Sequence, residues 1–566
     1  MIFTFMNSRK FNTKLGNVTR DPVSVAMLIL LVVLAYLVIW PFFQLVINTL
    51  TWSEGSRRIS REAVPGEFTW FYWLQVTAGP ISGKMLYGPL MNTLITGIIS
   101  TVLALIAGGT LAWCVVRSNM PGKRWLQPIL TLPYILPSFA VALAWETVFR
   151  SPKVGGQPGL YEAILGIAPP EWLSYGVIPI SITLAIHYFP FAYLLVAGAL
   201  ATIDSQMEES ALISGAGKLT ILRRITFPVV APAFVAALIL TFGKTIGQFA
   251  LPFLLGAPTQ FHTVATMIYA NLALGLDSMA YVLAVILIAM SLLSIWLSNR
   301  FIKKKSARFE TISGKGFRSR EIDLGDWRWF VFGVVSLFGF TVGILPLILL
   351  GIQSVMLIDG FYGFENLTSH FWIGKSNLDI AGGEPGVIHN KIILGATWNT
   401  LKLAFLSAVI AAVIGKAAGR VGPLFLALFL GLLGWTGLAR LVRAQFLSLR
   451  EMEFVDAARV AGASNLRITF KHILPNAVGQ IIVVVTLIMA GAILTETALS
   501  YLGFGVVAPD VSLGSLISQY QDSFTIRPWL FWWPGLLIIT IALCINFIGD
   551  GLRDAFDPRQ RRRISK

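Results

Sequence analysis

The chain has 566 residues, 55% of them hydrophobic and only 13% charged, with 44 Lys and Arg against 28 Asp and Glu. A water-soluble domain of that composition would expose more apolar surface than water tolerates, so the fold class is all-α and the chain a polytopic membrane protein. The formal charge of +16 does not indicate nucleic acid, because the basic residues cluster between apolar runs, as in loops retained on the cytoplasmic side.

Residues 1–22 form a basic segment expected in the cytoplasm. The apolar run that follows is long enough to span and has no A-x-A cleavage site, which predicts a retained first helix. A first half, residues 23–300, offers spans at Val23–Val46, Met91–Val116, Trp125–Phe149, Val177–Leu200, Val229–Leu251 and Met279–Leu297. A basic linker, 301–328, follows and is also expected in the cytoplasm. The second half, 329–552, offers Trp329–Gly351, Asn399–Gly415, Val421–Ala439, Val478–Leu494 and Leu530–Gly549, which makes about 11 transmembrane helices. A basic tail, 553–566, closes the chain. Cys114 and Cys544 each sit in an apolar run and read as buried hydrophobes rather than a disulfide or metal pair.

Lys and Arg near the helix ends place the amino terminus, the loops 117–124 and 218–224, the linker and the tail inside. The first half then alternates without conflict, with both ends in the cytoplasm. The second half does not. A single crossing at Val421–Ala439 would put Arg440, Arg443, Arg450, Arg467 and Lys471 outside, so this half is one helix short by count or that segment does not cross.

One pattern occurs twice. Glu209-Ser210-Ala211 is followed by Gly215, Ile225 and Pro228; Asp456-Ala457-Ala458 is followed by Gly462, Leu474 and Pro475. The Gly and Pro are thirteen residues apart in both copies. A carboxylate suits the positive end of a short helix, and Gly can end that helix in a turn. A second short helix is expected, stopped by Pro near the membrane. Small residues would let a partner surface approach closely.

These residues resemble the EAA loop of permeases in binding-protein-dependent ABC importers. The resemblance implies that each loop receives one of two separate ABC ATPase subunits, and that an extracytoplasmic solute-binding protein delivers cargo. His472, where the family pattern has Ile, matches the oligopeptide branch. Asn92-Thr93-Leu94, Leu132–Pro137 and Phe249–Pro252 look like the permeases for iron(III), polyamines and similar solutes, and Asn399-Thr400-Leu401 looks like the start of a second copy. From about Gly422, the runs Gly434–Arg440, Glu453–Asn476, Glu496–Gly503 and Asp550–Arg559 look instead like dipeptide, oligopeptide and nickel permeases.

The resemblance implies a multi-pass protein of the bacterial inner membrane with two parallel-repeat halves. Asn92 and Glu209 are 117 residues apart, but Asn399 and Asp456 only 57. Either two permease fragments are joined near 415–422 or Val421–Ala439 is re-entrant.

The sequence lacks a Gly-x4-Gly-Lys-Ser/Thr loop, so ATP hydrolysis is expected on a partner, and no catalytic constellation, cofactor or metal cluster is legible. An ion-coupled secondary transporter is the alternative; it would need midplane charges rather than paired loops. Glu146, Lys244, His187 and Glu496 lie in or beside apolar runs. Glu146 and Lys244 are expected to snorkel, His187 to hydrogen-bond in the packing, and Pro133, Pro137, Pro179 and Pro190 to kink helices. No substrate residue can be named from sequence.

Overall fold

The computed structural model describes residues 36, 39–53, 63–151, 157–201, 203, 205–306, 321–358, 360–412, 446, 449–450, 452–464, 467–501, 506, 510–520 and 528–556. The expected first span (23–46, for the most part), much of the linker, the whole of Val421–Ala439 and the junction at 415–422 lie outside them. Among the described residues there is no strand, only isolated bridges. Six helices among the described residues are long and apolar enough to cross a membrane, or seven if one bent pair counts as a span. The protein is thus an all-α polytopic membrane protein, as its composition requires.

The described residues of 1–88 and 267–289 form one compact unit, and those of 89–266 and 290–566 another. In the first, Trp52 is held between the rings of Phe71 and Tyr72 at 5.0 and 5.5 Å. Trp73 Nε1 donates to Thr49 Oγ1 at 3.1 Å. These polar-tipped rings give a loop segment a core of its own.

In the second unit, the two sequence repeats interdigitate. Trp327–Gly339 and the turn Phe340–Ile344 begin the second half but pack on Lys123–Ile135 of the first, and Leu345–Gln353 packs on Ser138–Phe149. Gly343 makes this possible, because a Cβ there would meet the Ile129 carbonyl oxygen at 2.8 Å. Small residues are how membrane helices approach closely, since burial of apolar surface alone supplies no drive in lipid. The 321–325 strip that precedes Trp327 is tied to the end of the Gly88–Arg117 helix. Asn119 N donates to the Ile322 carbonyl at 3.1 Å, Leu324 N to Asn119 Oδ1 at 3.0 Å, and Lys123 pairs with Glu321 at 2.9 Å.

The sequence read Trp125–Phe149 as one crossing. The structure instead has two helices, Lys123–Ile135 and Ser138–Phe149, bent 95° apart. Leu136 is extended at φ −66, ψ 142, the conformation a following proline imposes. Pro137 has no N–H for the Pro133 carbonyl four residues back. His187 answers it from another helix, with Nδ1 2.9 Å from that oxygen. Nδ1 therefore carries the proton, and His187 is the hydrogen-bonded packing residue expected from sequence.

The Asn-Thr pairs do equal work in both halves. Asn92 Nδ2 donates to the His262 carbonyl, and Val264 N donates to Thr93 Oγ1, both at 2.9 Å. Asn399 Nδ2 donates to the Val511 carbonyl at 2.9 Å, and Leu513 N to Thr400 Oγ1 at 3.0 Å. Each pair grips the start of a helix (Val264–Ala273 and Leu513–Tyr520) whose first N–H groups would otherwise be orphaned in hydrocarbon. In the second half Glu496 adds to the grip, because its Oε1 accepts the hydroxyls of Ser500 and Ser512.

Replacing His187 by Phe keeps a planar ring but leaves the Pro133 carbonyl unsatisfied. The expected cost is about 1–3 kcal/mol, read as a lower Tm in thermal unfolding of the detergent-solubilised chain. An unchanged Tm would mean that the bend does not depend on this bond.

Candidate functional site

The repeated motif folds into the same object twice. Ser205–Ile213 is a short helix that ends at Gly215, φ +82; Glu453–Val460 is a short helix that ends at Gly462, φ +79. Left-handed backbone of this kind is costly for any residue with a Cβ. The closing bonds correspond one to one. Gly215 N donates to the Leu212 carbonyl and Ala216 N to that of Ala211; Gly462 N donates to the Arg459 carbonyl and Ala463 N to that of Ala458, all at 2.9–3.0 Å. The two loops are related by a constant shift of 247 positions, the separation of Gly215 from Gly462.

Pro228 and Pro475 do not stop the second helices, contrary to the sequence expectation. The chain runs through each proline into a long helix, Phe227–Ile246 or Leu474–Tyr501. The device is a wider turn just before the proline, at Leu222–Thr226 and Ile468–Ile473. There Phe227 N reaches back to the Leu222 carbonyl and Leu474 N to that of Thr469, five residues instead of four. The wide turn makes room for the proline ring and spares the bond it cannot make. Each loop thereby runs on without a break into a long helix, which for the first loop is one of the candidate spans.

The faces of the two loops also correspond. Ile213 is 88% exposed and Val460, its counterpart, 90% exposed. Ser210, Gly215, Asp456, Ala457 and Gly462 are exposed as well, while Ala211, Ile225, Pro228, Ala458 and Leu474 are half-buried and Pro475 exposed. Glu209 lies on the first short helix; the structure does not describe its side chain. Exposed β-branched residues at the ends of two short, largely exposed helices form surfaces suited to a partner. Sequence spacing did not single them out, because their positions are free in the motif.

The sequence reading also missed what holds each loop down. In the first, Glu208 pairs with the buried Arg117 at the end of the Gly88–Arg117 helix. Thr226 Oγ1 donates to the other oxygen of the same carboxylate at 2.8 Å. The motif acid is Glu209; its neighbour makes this clasp. In the second loop the same two positions are Val455 and Ile473, both buried in an apolar cluster with Leu449, Ile468 and Ala477. One latch is ionic and the other is apolar, on the same backbone. No group of three or more His, Cys, Asp or Glu capable of holding a metal occurs among the described residues.

A family model described as "binding-protein-dependent transport system inner membrane component" matches residues 100–306 and again 325–562. The oligopeptide transport system permease protein OppC of Mycobacterium tuberculosis (strain ATCC 25618 / H37Rv) is 45% identical over 153 residues, 27% of this chain and 53% of that protein. A putative peptide transport system permease protein of Brucella suis biovar 1 is 38% identical over 204 residues, 30% of this chain and 69% of that protein. The chain spans about half the length of the OppC relatives it matches. A crystal structure of a bacterial ABC transporter that imports the acidic polysaccharide alginate aligns at TM-score 0.42 and 17% identity, over 52% of this chain and 99% of that one.

Arg117→Met leaves Glu208 without its counter-charge in a largely buried setting, at an expected cost of about 3–5 kcal/mol. The double variant Arg117→Met/Glu208→Met is expected to recover most of it. Thermal unfolding, with limited proteolysis of residues 205–217, reads both; equal loss in the single and double variants would rule out the clasp.

Proposed function

This chain belongs to the family of binding-protein-dependent transport system inner membrane components, the permeases of ABC importers, and from that premise we propose that its two loops are docking levers for two separate ATPase subunits. One observation carries the reading: loops 247 residues apart share closing bonds, left-handed glycines, an exposed apolar residue and a wide turn into a membrane helix. A partner pressing on Ile213 or Val460 pushes a short helix joined through its glycine turn to the segment that runs on into the long helix. This is the coupling that rigid-body alternating access needs. An ion-coupled secondary transporter would need no such pair.

The chain is a transport component, not an enzyme, and it is a multi-pass inner-membrane protein. In our reading both termini face the cytoplasm, hydrolysis takes place on the docked ATPases, and a solute-binding protein delivers a small polar cargo of the iron(III), peptide or nickel type. The peptide permeases among its relatives support a peptide-type cargo. Ile213→Asp and Val460→Asp leave both glycine turns intact. Each is expected to lower recovery of the ATPase on affinity purification of the chain from its membrane by about tenfold, with transport falling in parallel. Undiminished recovery in both would sink the docking reading.

We also read the second half as one helix short by count between Ala412 and Glu453, with Val421–Ala439 re-entrant rather than crossing, so that the second loop stays on the cytoplasmic side. The uneven spacing from Asn-Thr to the loop supports this. Gln445→Cys and Asn465→Cys should resist an impermeant maleimide in intact cells; external labelling of both would place the second loop on the wrong face for an ATPase.

A further inference from the structure

Lys244 lies near the end of the Phe227–Ile246 helix, where hydropathy alone puts it at a membrane edge. Its neighbours put it elsewhere. The Tyr188 hydroxyl is 3.5 Å from the Lys244 carbonyl, and Tyr188 is eleven residues into the Val177–Ala201 helix. At about 1.5 Å per residue that is about 17 Å from one end. Tyr134, whose ring centroid is 5.8 Å from Lys244 Nζ, is eleven residues into the Lys123–Ile135 helix, which in the orientation read from the basic residues enters from the opposite face. Both rulers give roughly half of a ~30 Å hydrocarbon core. That is farther from either surface than a four-carbon stem reaches, so the snorkelling expected for Lys244 does not apply.

At that depth Lys244 is exposed. Among the described residues no carboxylate lies within ion-pair distance of it. Its ammonium rests instead on the faces of Tyr134 and Phe191, at 5.8 and 5.3 Å, and these two rings stack on each other at 5.9 Å. Ring faces hold a cation without neutralising it, so the charge stays available. The adjacent His187 is occupied by the Pro133 carbonyl. The chain also breaks here, through 95° at Leu136-Pro137, which opens the helix that carries Tyr134. An exposed intramembrane charge persists where it lines water rather than lipid.

We propose that Lys244, seated on Tyr134 and Phe191 beside the Pro133–Pro137 break, is an anion-binding station on the translocation path, and that the cargo presents an anionic group there, a carboxylate above all. This rests on the permease reading and deepens it. A carboxylate is common to peptides and to organic-acid chelates of metals, so both cargo types suggested by the sequence can share the site. Tyr134 and Phe191 serve as positioning residues that hold the ammonium in place.

The test needs no knowledge of the cargo. In a Cys114→Ala/Cys544→Ser background, Phe191→Cys, and separately Tyr134→Cys in case the first does not assemble, is treated in the membrane-embedded complex. The probes are an anionic sulfonatoethyl and a cationic trimethylammonioethyl methanethiosulfonate. We expect both cysteines to react from water, the anionic reagent faster than the cationic one. Lys244→Gln should lower that rate ratio by about tenfold, the effect of one unit charge at close range in water, and Lys244→Arg should preserve it. No reaction at either cysteine, or a ratio indifferent to Lys244→Gln, would overturn the proposal. Neither result touches ATPase docking, which the Ile213 and Val460 variants test separately.

Discussion

A carbonyl that loses its donor to proline must find another, because hydrocarbon offers none. Much of this molecule is arranged around that requirement. At Pro137 the orphaned Pro133 oxygen is met by His187, from a helix 54 residues farther along, and the chain is free to turn through 95°. At Pro228 and Pro475 the solution is local: the preceding turn widens by one residue, and the helix continues. The first solution creates a break within an apolar stretch, the second a continuous helix. The same residue type thus gives opposite mechanics, according to whether a distant donor or a nearby wide turn takes up the lost bond.

The halves are repeats in sequence but not independent bodies. The leading helix of the second half packs on Lys123–Ile135 of the first. One buried cluster joins Leu136, Phe139 and Leu143 to Ile393, Ile493, Leu513 and Trp532. A displacement delivered at either loop is therefore felt in shared packing, because a close-packed interior shifts between arrangements rather than deforming smoothly. The Asn-Thr pairs serve this rigidity by fixing the same helix start in both halves.

The all-α class and most spans were legible because the bilayer imposes length and apolarity on every crossing. The paired loops were legible because a left-handed glycine and a proline at fixed separation leave a mark in one dimension. The rest depends on partners far apart in the chain. Pro133 and Pro137 announced a kink, but its size depends on His187. Spacing chose Glu209; only Arg117, 91 residues before Glu208, distinguishes that neighbouring acid. Lys244 was placed at an edge because hydropathy counts along one helix, whereas its depth is set by Tyr188 and Tyr134 on two others.

The two latches share a backbone but not a chemistry: Glu208 with Arg117 and Thr226 in one loop, Val455 with Ile473 in the other. Each is self-consistent, and no single substitution leads from one to the other. Putting Val at 208 strands a buried guanidinium; putting Glu at 455 buries an unmatched carboxylate. Repeats that began alike are therefore held apart by a valley in mutational space, and each loop evolves against its own neighbours rather than against its twin.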